Sequence, residues 1–190
     1  MLSHLKCNDE SKSWYFFLIY TRNEVLVKRI ITVFVRHASI VRPLSENGKV
    51  TLAGEITQFE FALSQFSNGI GLKLETNPNL ASEYKILRLF KPLLFLETKQ
   101  LVDKKQLESF PKIVLVHHLI VRAFPNISLP PWHFSWTESQ YSDWLDKNES
   151  ESLALLSRCC EIYAEEVKRR GEKEYCGEYP LIMQLLKLEK

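Results

Sequence analysis

The side chains of this 190-residue chain best suited to nucleophilic, acid–base or metal chemistry are five histidines and four cysteines. They are His4, His37, His117, His118, His133, Cys7, Cys159, Cys160 and Cys176. A hydrolase needs a nucleophile with a base and an orienting group, and a metal site needs three or four ligands. No His-x-x-x-His or Cys-x-x-Cys pair occurs, so the spacing supplies no zinc site. His117 and His118 lie inside the apolar run Ile113 to Val121, where successive helical side chains point about 100° apart. At most one of them is expected to face a core, as a hydrogen-bonded core residue and not as a ligand. His37 has the same reading. Gly69-Ile70-Gly71 lacks the third glycine and the flanking strand of a phosphate-binding loop. No catalytic, cofactor-binding or metal-binding residue is assigned, no cofactor is implied, and the chain reads as a non-enzyme that works through a surface.

The candidate surface residues are aromatic. Trp132, Phe134 and Trp136 follow the prolines Pro125, Pro130 and Pro131 and precede Tyr141 and Trp144. Tryptophan and tyrosine are enriched at binding hot spots, so Trp132, Phe134 and Trp136 are candidates for partner binding. The competing reading makes Trp132 and Trp136 the plug of a helical bundle. A formal charge of +2 is too mild for a nucleic-acid surface. The four irregularly placed cysteines form no disulfide framework, which points to a reducing, cytosolic compartment. The run Trp14 to Tyr20 falls far short of the ~20 apolar residues of a membrane span. It also lacks a basic start and cleavage site, and is expected to be buried.

The elements that would position these residues are helical. Leu26, Ile30, Val33, His37 and Ile40 recur at four–three spacing and predict a helix from Glu24 to about Val41, stopped by Pro43. Leu52, Ile56, Phe59, Leu63 and Phe66 predict a second, from about Glu46 to Phe66, its start weakened by Gly48 and Gly54. Residues 67–82 carry Asn-Gly and Asn-Pro steps without a period and read as a loop. Ile86, Leu89, Leu93 and Leu96 predict a third helix from Glu83 to about Leu96, kinked or split at Pro92. After a break near Ser109-Phe110-Pro111, Lys112 to Phe124 reads as a buried central helix.

The last third is a run of capped helices. Thr137 and Gln140 form a capping box ahead of Tyr141, Trp144 and Leu145. Asn148 signals the next start, and Leu153, Leu156, Cys160, Tyr163 and Val167 make one stripe. Lys168, Arg169 and Arg170 suit the negative pole of that helix, and Gly171 its left-handed closing turn. A final helix opens at Tyr179-Pro180. The sum is an all-α fold of one or two antiparallel helical bundles.

Four strings, in order and approximate spacing, resemble the fifth subunit of the conserved oligomeric Golgi complex. They are Phe34 to Leu44; Tyr84 to Arg88 with Phe90 to Phe95; Trp144-Leu145-Asp146; and Gly171 to Glu174 leading to Tyr179-Pro180 and Gln184-Leu185-Leu186. The resemblance implies the C-terminal region of a tethering-complex subunit of the helical-rod type, within a chain much longer in other family members. By the same implication, the other subunits of the Golgi tethering complex are partners, with vesicle-fusion factors beside them. Membrane association is then peripheral, on the cytosolic face of the Golgi, and the process is intra-Golgi retrograde transport. Residues 1–29 match nothing in the family and stay unassigned. Residues 30–190 make the C-terminal helical-bundle domain, with loops near 67–82 and 125–136. The alternatives are a helical adaptor unrelated to Golgi tethering, and a small helical enzyme using His117 or His118.

Overall fold

A chain without paired strands can satisfy the amides of an apolar interior only within helices. The computed structural model describes residues 7–42 and 44–187. They form α1 (Cys7–Ser39), α2 (Glu46–Gly69), α3 (Ala81–Leu93), a 3-10 turn (Thr98–Val102), α4 (Lys104–Ser109), α5 (Lys112–Arg122), α6 (Pro130–His133), α7 (Glu138–Lys147), a second 3-10 turn (Glu149–Glu151), α8 (Ser152–Arg170) and α9 (Tyr179–Lys187). Among the described residues there is no strand, and the fold is the expected all-α bundle.

The hub is α5. Every side chain from Val114 to Val121 is buried, because α1, α8, α9 and the first 3-10 turn pack around it. Fully burying such aliphatic side chains is worth about 1.5–3 kcal/mol each before ordering entropy is subtracted. Enclosure on all sides corrects one expectation: His117 and His118 are both buried, not one of them.

The longest helix, α1, starts at Cys7 and not at Glu24, since no glycine or proline interrupts Cys7 to Ser39. Its buried seam is Val27, Ile31, Val35 and Ala38, one or two residues round from the predicted Leu26, Ile30, Val33 and His37, while Ile40 is buried as predicted. Leu26 is 47% exposed. Of the aromatic run expected to be buried, Trp14 to Leu18 are outside the described side chains, while Ile19 and Tyr20 are exposed. Lys28 reaches Glu83 on α3 at 2.9 Å. Glu24 accepts from Asn77 Nδ2 at 2.5 Å and from Asn79 Nδ2 at 3.2 Å, which ties the 70–80 connection to α1. That connection is packed, with Leu72, Leu74, Asn77 and Leu80 buried.

Ser45 fixes the start of α2 despite Gly48, because its hydroxyl accepts from the Gly48 amide at 3.1 Å. The helix continues past Phe66 to Gly69; Phe66 is 42% exposed and the seam closes on buried Ser67. Gly71, at φ +73°, ends it: the Leu72 amide reaches Ser67 O and the Gly71 amide reaches Asn68 O, a Schellman closure. Thus the Gly69-Ile70-Gly71 string is a helix terminus. In α3 the buried residues are Leu87, Phe90 and Leu93, and Pro92 lies in the last turn, so the helix stops at Leu93 without a central kink.

The Thr137–Gln140 capping box forms at the head of α7, with Thr137 Oγ1 accepting from the Gln140 amide at 3.1 Å. Asn148 works at the opposite end from the one expected: its Nδ2 donates to Trp144 O at 2.9 Å and closes α7. Leu156, Cys160, Tyr163 and Val167 are the buried stripe of α8, and Gly171, at φ +70°, closes that helix as predicted. The final helix begins at Tyr179.

Candidate functional site

The three aromatic candidates divide between two neighbourhoods. After α6, Ser135 takes a left-handed turn at φ 56° and the Trp136 amide returns to Pro131 O at 2.8 Å. This swings Trp136 onto α7, with ring centroids 6.0 Å from Trp144 and 6.3 Å from Tyr141. Phe134 bridges, 4.8 Å from His133 and 5.5 Å from Trp136. Trp132 faces the other way. Its ring lies half-buried against the core, and the Arg42 guanidinium sits 3.5 Å from its centroid and 4.8 Å from that of Phe124.

Arg42 is the residue the sequence reading missed. It follows the end of α1, and the folded chain returns Phe124 and Trp132 to it from more than 80 positions away, a pairing no local pattern announces. Among the described residues its guanidinium has no hydrogen-bond acceptor and no ion-pair partner; burial lowers its pKa, while Glu138 opposes that shift. Beside it a hollow of about 340 Å³ is lined by His37, Ile40, Val41, Trp132 and Glu138. Val41 and Phe124 are 40% and 44% exposed at its edge.

The histidines of α5 are committed to the interior. Ser39 Oγ gives its proton to Arg36 O at 2.7 Å, so it accepts from His117 Nδ1 at 3.1 Å. His117 Nε2 is then the acceptor for the Tyr141 hydroxyl at 2.8 Å. The space beside the trio, lined by His37, Ile40 and Leu145 among others, has no room for a water molecule. Burial, followed by the Arg36 charge, pushes the His117 pKa down to about 3. His118 Nε2 accepts from Arg122 at 3.2 Å, and burial with the Arg122 and Lys49 charges pushes its pKa to about 3 as well. Both imidazoles are neutral and fully hydrogen-bonded or enclosed, which suits packing. Burial also raises the thiols of Cys159 and Cys160, to about 11 and about 12, leaving them protonated and unreactive. Among the described residues no group of three His, Cys, Asp or Glu side chains could hold a metal ion.

Two sets of arginine contacts, one ionic and one to backbone carbonyls, fasten the scaffold. Asp146 on α7 accepts from both Arg29 and Arg36 of α1, at 2.5 Å from Arg36, and the Arg29 hydrogen bond lowers its pKa. Arg122, at the end of α5, donates to Leu96 O at 2.7 Å, Leu94 O at 3.2 Å and Leu93 O at 3.3 Å.

Comparison with known proteins decides the family. The chain is 31% identical over 186 residues to conserved oligomeric Golgi complex subunit 5 of Mus musculus, which covers 96% of it. It is 32% identical over 161 residues to the protein of that name from Arabidopsis thaliana, and 27% over 165 residues to that from Drosophila melanogaster. The chain belongs to the family of conserved oligomeric Golgi complex subunit 5. It spans 21%, 18% and 21% of the lengths of those relatives, in their C-terminal part. No protein-family model and no solved structure matches it.

In this chain the strings noted in the sequence are joined by contacts. Phe34 to Leu44 ends α1 and carries Arg36, Ser39 and Arg42, while Trp144-Leu145-Asp146 on α7 supplies the carboxylate for Arg36. Phe90, on α3, sets its ring edge-on to His118 at 5.9 Å. The stretch from Gly171 to Tyr179 folds back on α8, where the Tyr163 hydroxyl accepts from the Cys176 amide at 2.8 Å.

Proposed function

We propose that this chain is a non-catalytic scaffold and docking portion of a Golgi vesicle-tethering subunit, acting in intra-Golgi retrograde vesicle transport. The observation that carries it is the match to subunit 5 proteins from a mammal, a plant and an insect, running over 83–96% of the chain. Its partners are the other subunits of the Golgi tethering complex and, through the assembled complex, vesicle-fusion factors. Attachment to the cytosolic face of Golgi membranes is peripheral, by way of the complex. In support, no helix among the described residues is long and apolar enough to cross a membrane. Trp132, Phe134 and Trp136 are the aromatic residues offered to partners, in two neighbourhoods: Phe134 and Trp136 beside α7, and half-buried Trp132 beside Arg42. Each contact on such a scaffold can be weak, since linked sites raise one another's effective concentration.

The test is a pull-down from cytosol with the folded 190-residue chain as bait, read by mass spectrometry. Recovery of other subunits of the Golgi tethering complex is expected. A folded bait that recovers none of them overturns the assignment of a subunit interface to this chain.

A further inference from the structure

A guanidinium held between two aromatic rings has lost much of its water, and an arginine in that state ordinarily recovers hydrogen bonds from a carboxylate or backbone carbonyls. Arg42 has the rings, at 3.5 and 4.8 Å, and among the described residues none of the acceptors. The two ring contacts confine the guanidinium and leave its N–H groups for an acceptor. Next to it lie a hollow of about 340 Å³, lined by apolar Ile40, Val41 and Trp132 and by polar His37 and Glu138, and two large side chains, Val41 and Phe124, that are 40% and 44% exposed. Arginine, tryptophan and an exposed aromatic around a concavity are the composition of an interface hot spot.

Resting on the reading of the chain as a docking domain, we infer that Arg42, Phe124, Trp132 and Val41 form the docking site for an acidic segment of a partner protein. That segment sets an Asp or Glu carboxylate on the Arg42 guanidinium and an apolar side chain into the hollow lined by Ile40, Val41 and Trp132. Charge complementarity selects this occupant. One guanidinium, confined by the two rings, matches one planar carboxylate in a two-point contact. A lipid headgroup or phosphorylated ligand would call for several cations together, whereas the charged side chain that shares this hollow with Arg42 is Glu138, which repels a multiply charged anion; Lys49 and Arg122 line a separate hollow with Phe124 and Glu178. Glu138 lines the same hollow and would equally turn away an acidic group placed anywhere but on Arg42, so it sets the register of the segment.

The probe is a phage-displayed library of random linear peptides selected against the full chain. Peptides with Asp or Glu within one helical turn of a large apolar residue are expected, with binding that weakens as salt is raised. Arg42→Gln is expected to weaken the selected peptides about tenfold, and Phe124→Ala, at an exposed position, to do the same without altering thermal unfolding. The inference is overturned by any of three results: no peptide selected, peptides without acidic enrichment, or binding indifferent to both substitutions. Arg42-dependent binding to phosphatidylserine vesicles, with no peptide bound, would reassign the site to lipid. The pull-down reads whole-subunit recovery and this selection reads a local motif, so either can fail while the other succeeds.

Discussion

Arg122 does for α3 what the left-handed glycines do for α2 and α8. After Pro92-Leu93 the chain closes only through long amide contacts, such as Leu96 to Leu93 O at 3.3 Å, and the Arg122 fork adds donors to Leu93, Leu94 and Leu96 from the end of α5. It also donates to Thr98 Oγ1 at 3.3 Å and to His118 Nε2, and the latter contact keeps that imidazole in its neutral form. Replacement by Met keeps the apolar stem and removes every donor. Arg122→Met is therefore expected to cost about 2–4 kcal/mol, as several half-buried carbonyls lose partners at about 1 kcal/mol or more apiece. Arg122→Lys should recover little of it, since an ammonium cannot span three carbonyls as a planar fork does. Urea unfolding followed by circular dichroism checks both, and a lysine variant as stable as the parent would show that charge, not the fork, is what matters there.

At the scale of elements, what the sequence reveals depends on whether the signal is local. The Thr137–Gln140 box, the Gly171 closure and the Tyr179-Pro180 start are each written within a few residues, and each appears where expected. The seam of α1 is not, because Leu26–Val27, Ile30–Ile31 and Val33 to Val35 make two adjacent faces equally apolar. Only packing against α3 and α5 selects Val27, Ile31 and Val35. The last buried position of α2 slips likewise from Phe66 to Ser67, and Arg42 and Arg122 have partners that no periodicity can foretell. Gly54 offers a direct test of the α2 assignment. It lies in the helix interior on the exposed side, and a Cβ added there meets nothing within 4 Å. Gly54→Ala is expected to stabilise the protein by about 0.5–1 kcal/mol, through helix propensity and a less free unfolded chain. A melting temperature that stays level or falls would mean that α2 is not continuous through this point.

The whole molecule is organised around α5, and with it around two neutral histidines in an interior that offers no counter-ion. The charged groups that shift them are Arg36 for His117, and Arg122 and Lys49 for His118, all cations that disfavour an imidazolium. Both folded pKa values lie near 3, below the unfolded value of about 6.5. The unfolded chain therefore binds these protons first as pH falls. Stability from this source is fully present above pH ~6.5 and is lost as pH drops from there toward 3, at up to about 1.4 kcal/mol per pH unit for each histidine. Between pH 7 and pH 5 each should contribute a loss of about 2 kcal/mol. Asp146, whose pKa is lowered mainly by Arg29, adds a separate loss only as pH falls below the ordinary carboxylate range, so the two windows can be told apart. Urea midpoints measured at pH 7, 6 and 5 should fall steadily. A His118→Gln variant should show about half the slope, even if its stability at pH 7 is lower, because one of the two titrating groups is gone. A parent protein equally stable at pH 7 and pH 5 would mean that the imidazoles can take up protons while folded, and that α5 is not the closed hub on which the bundle is built.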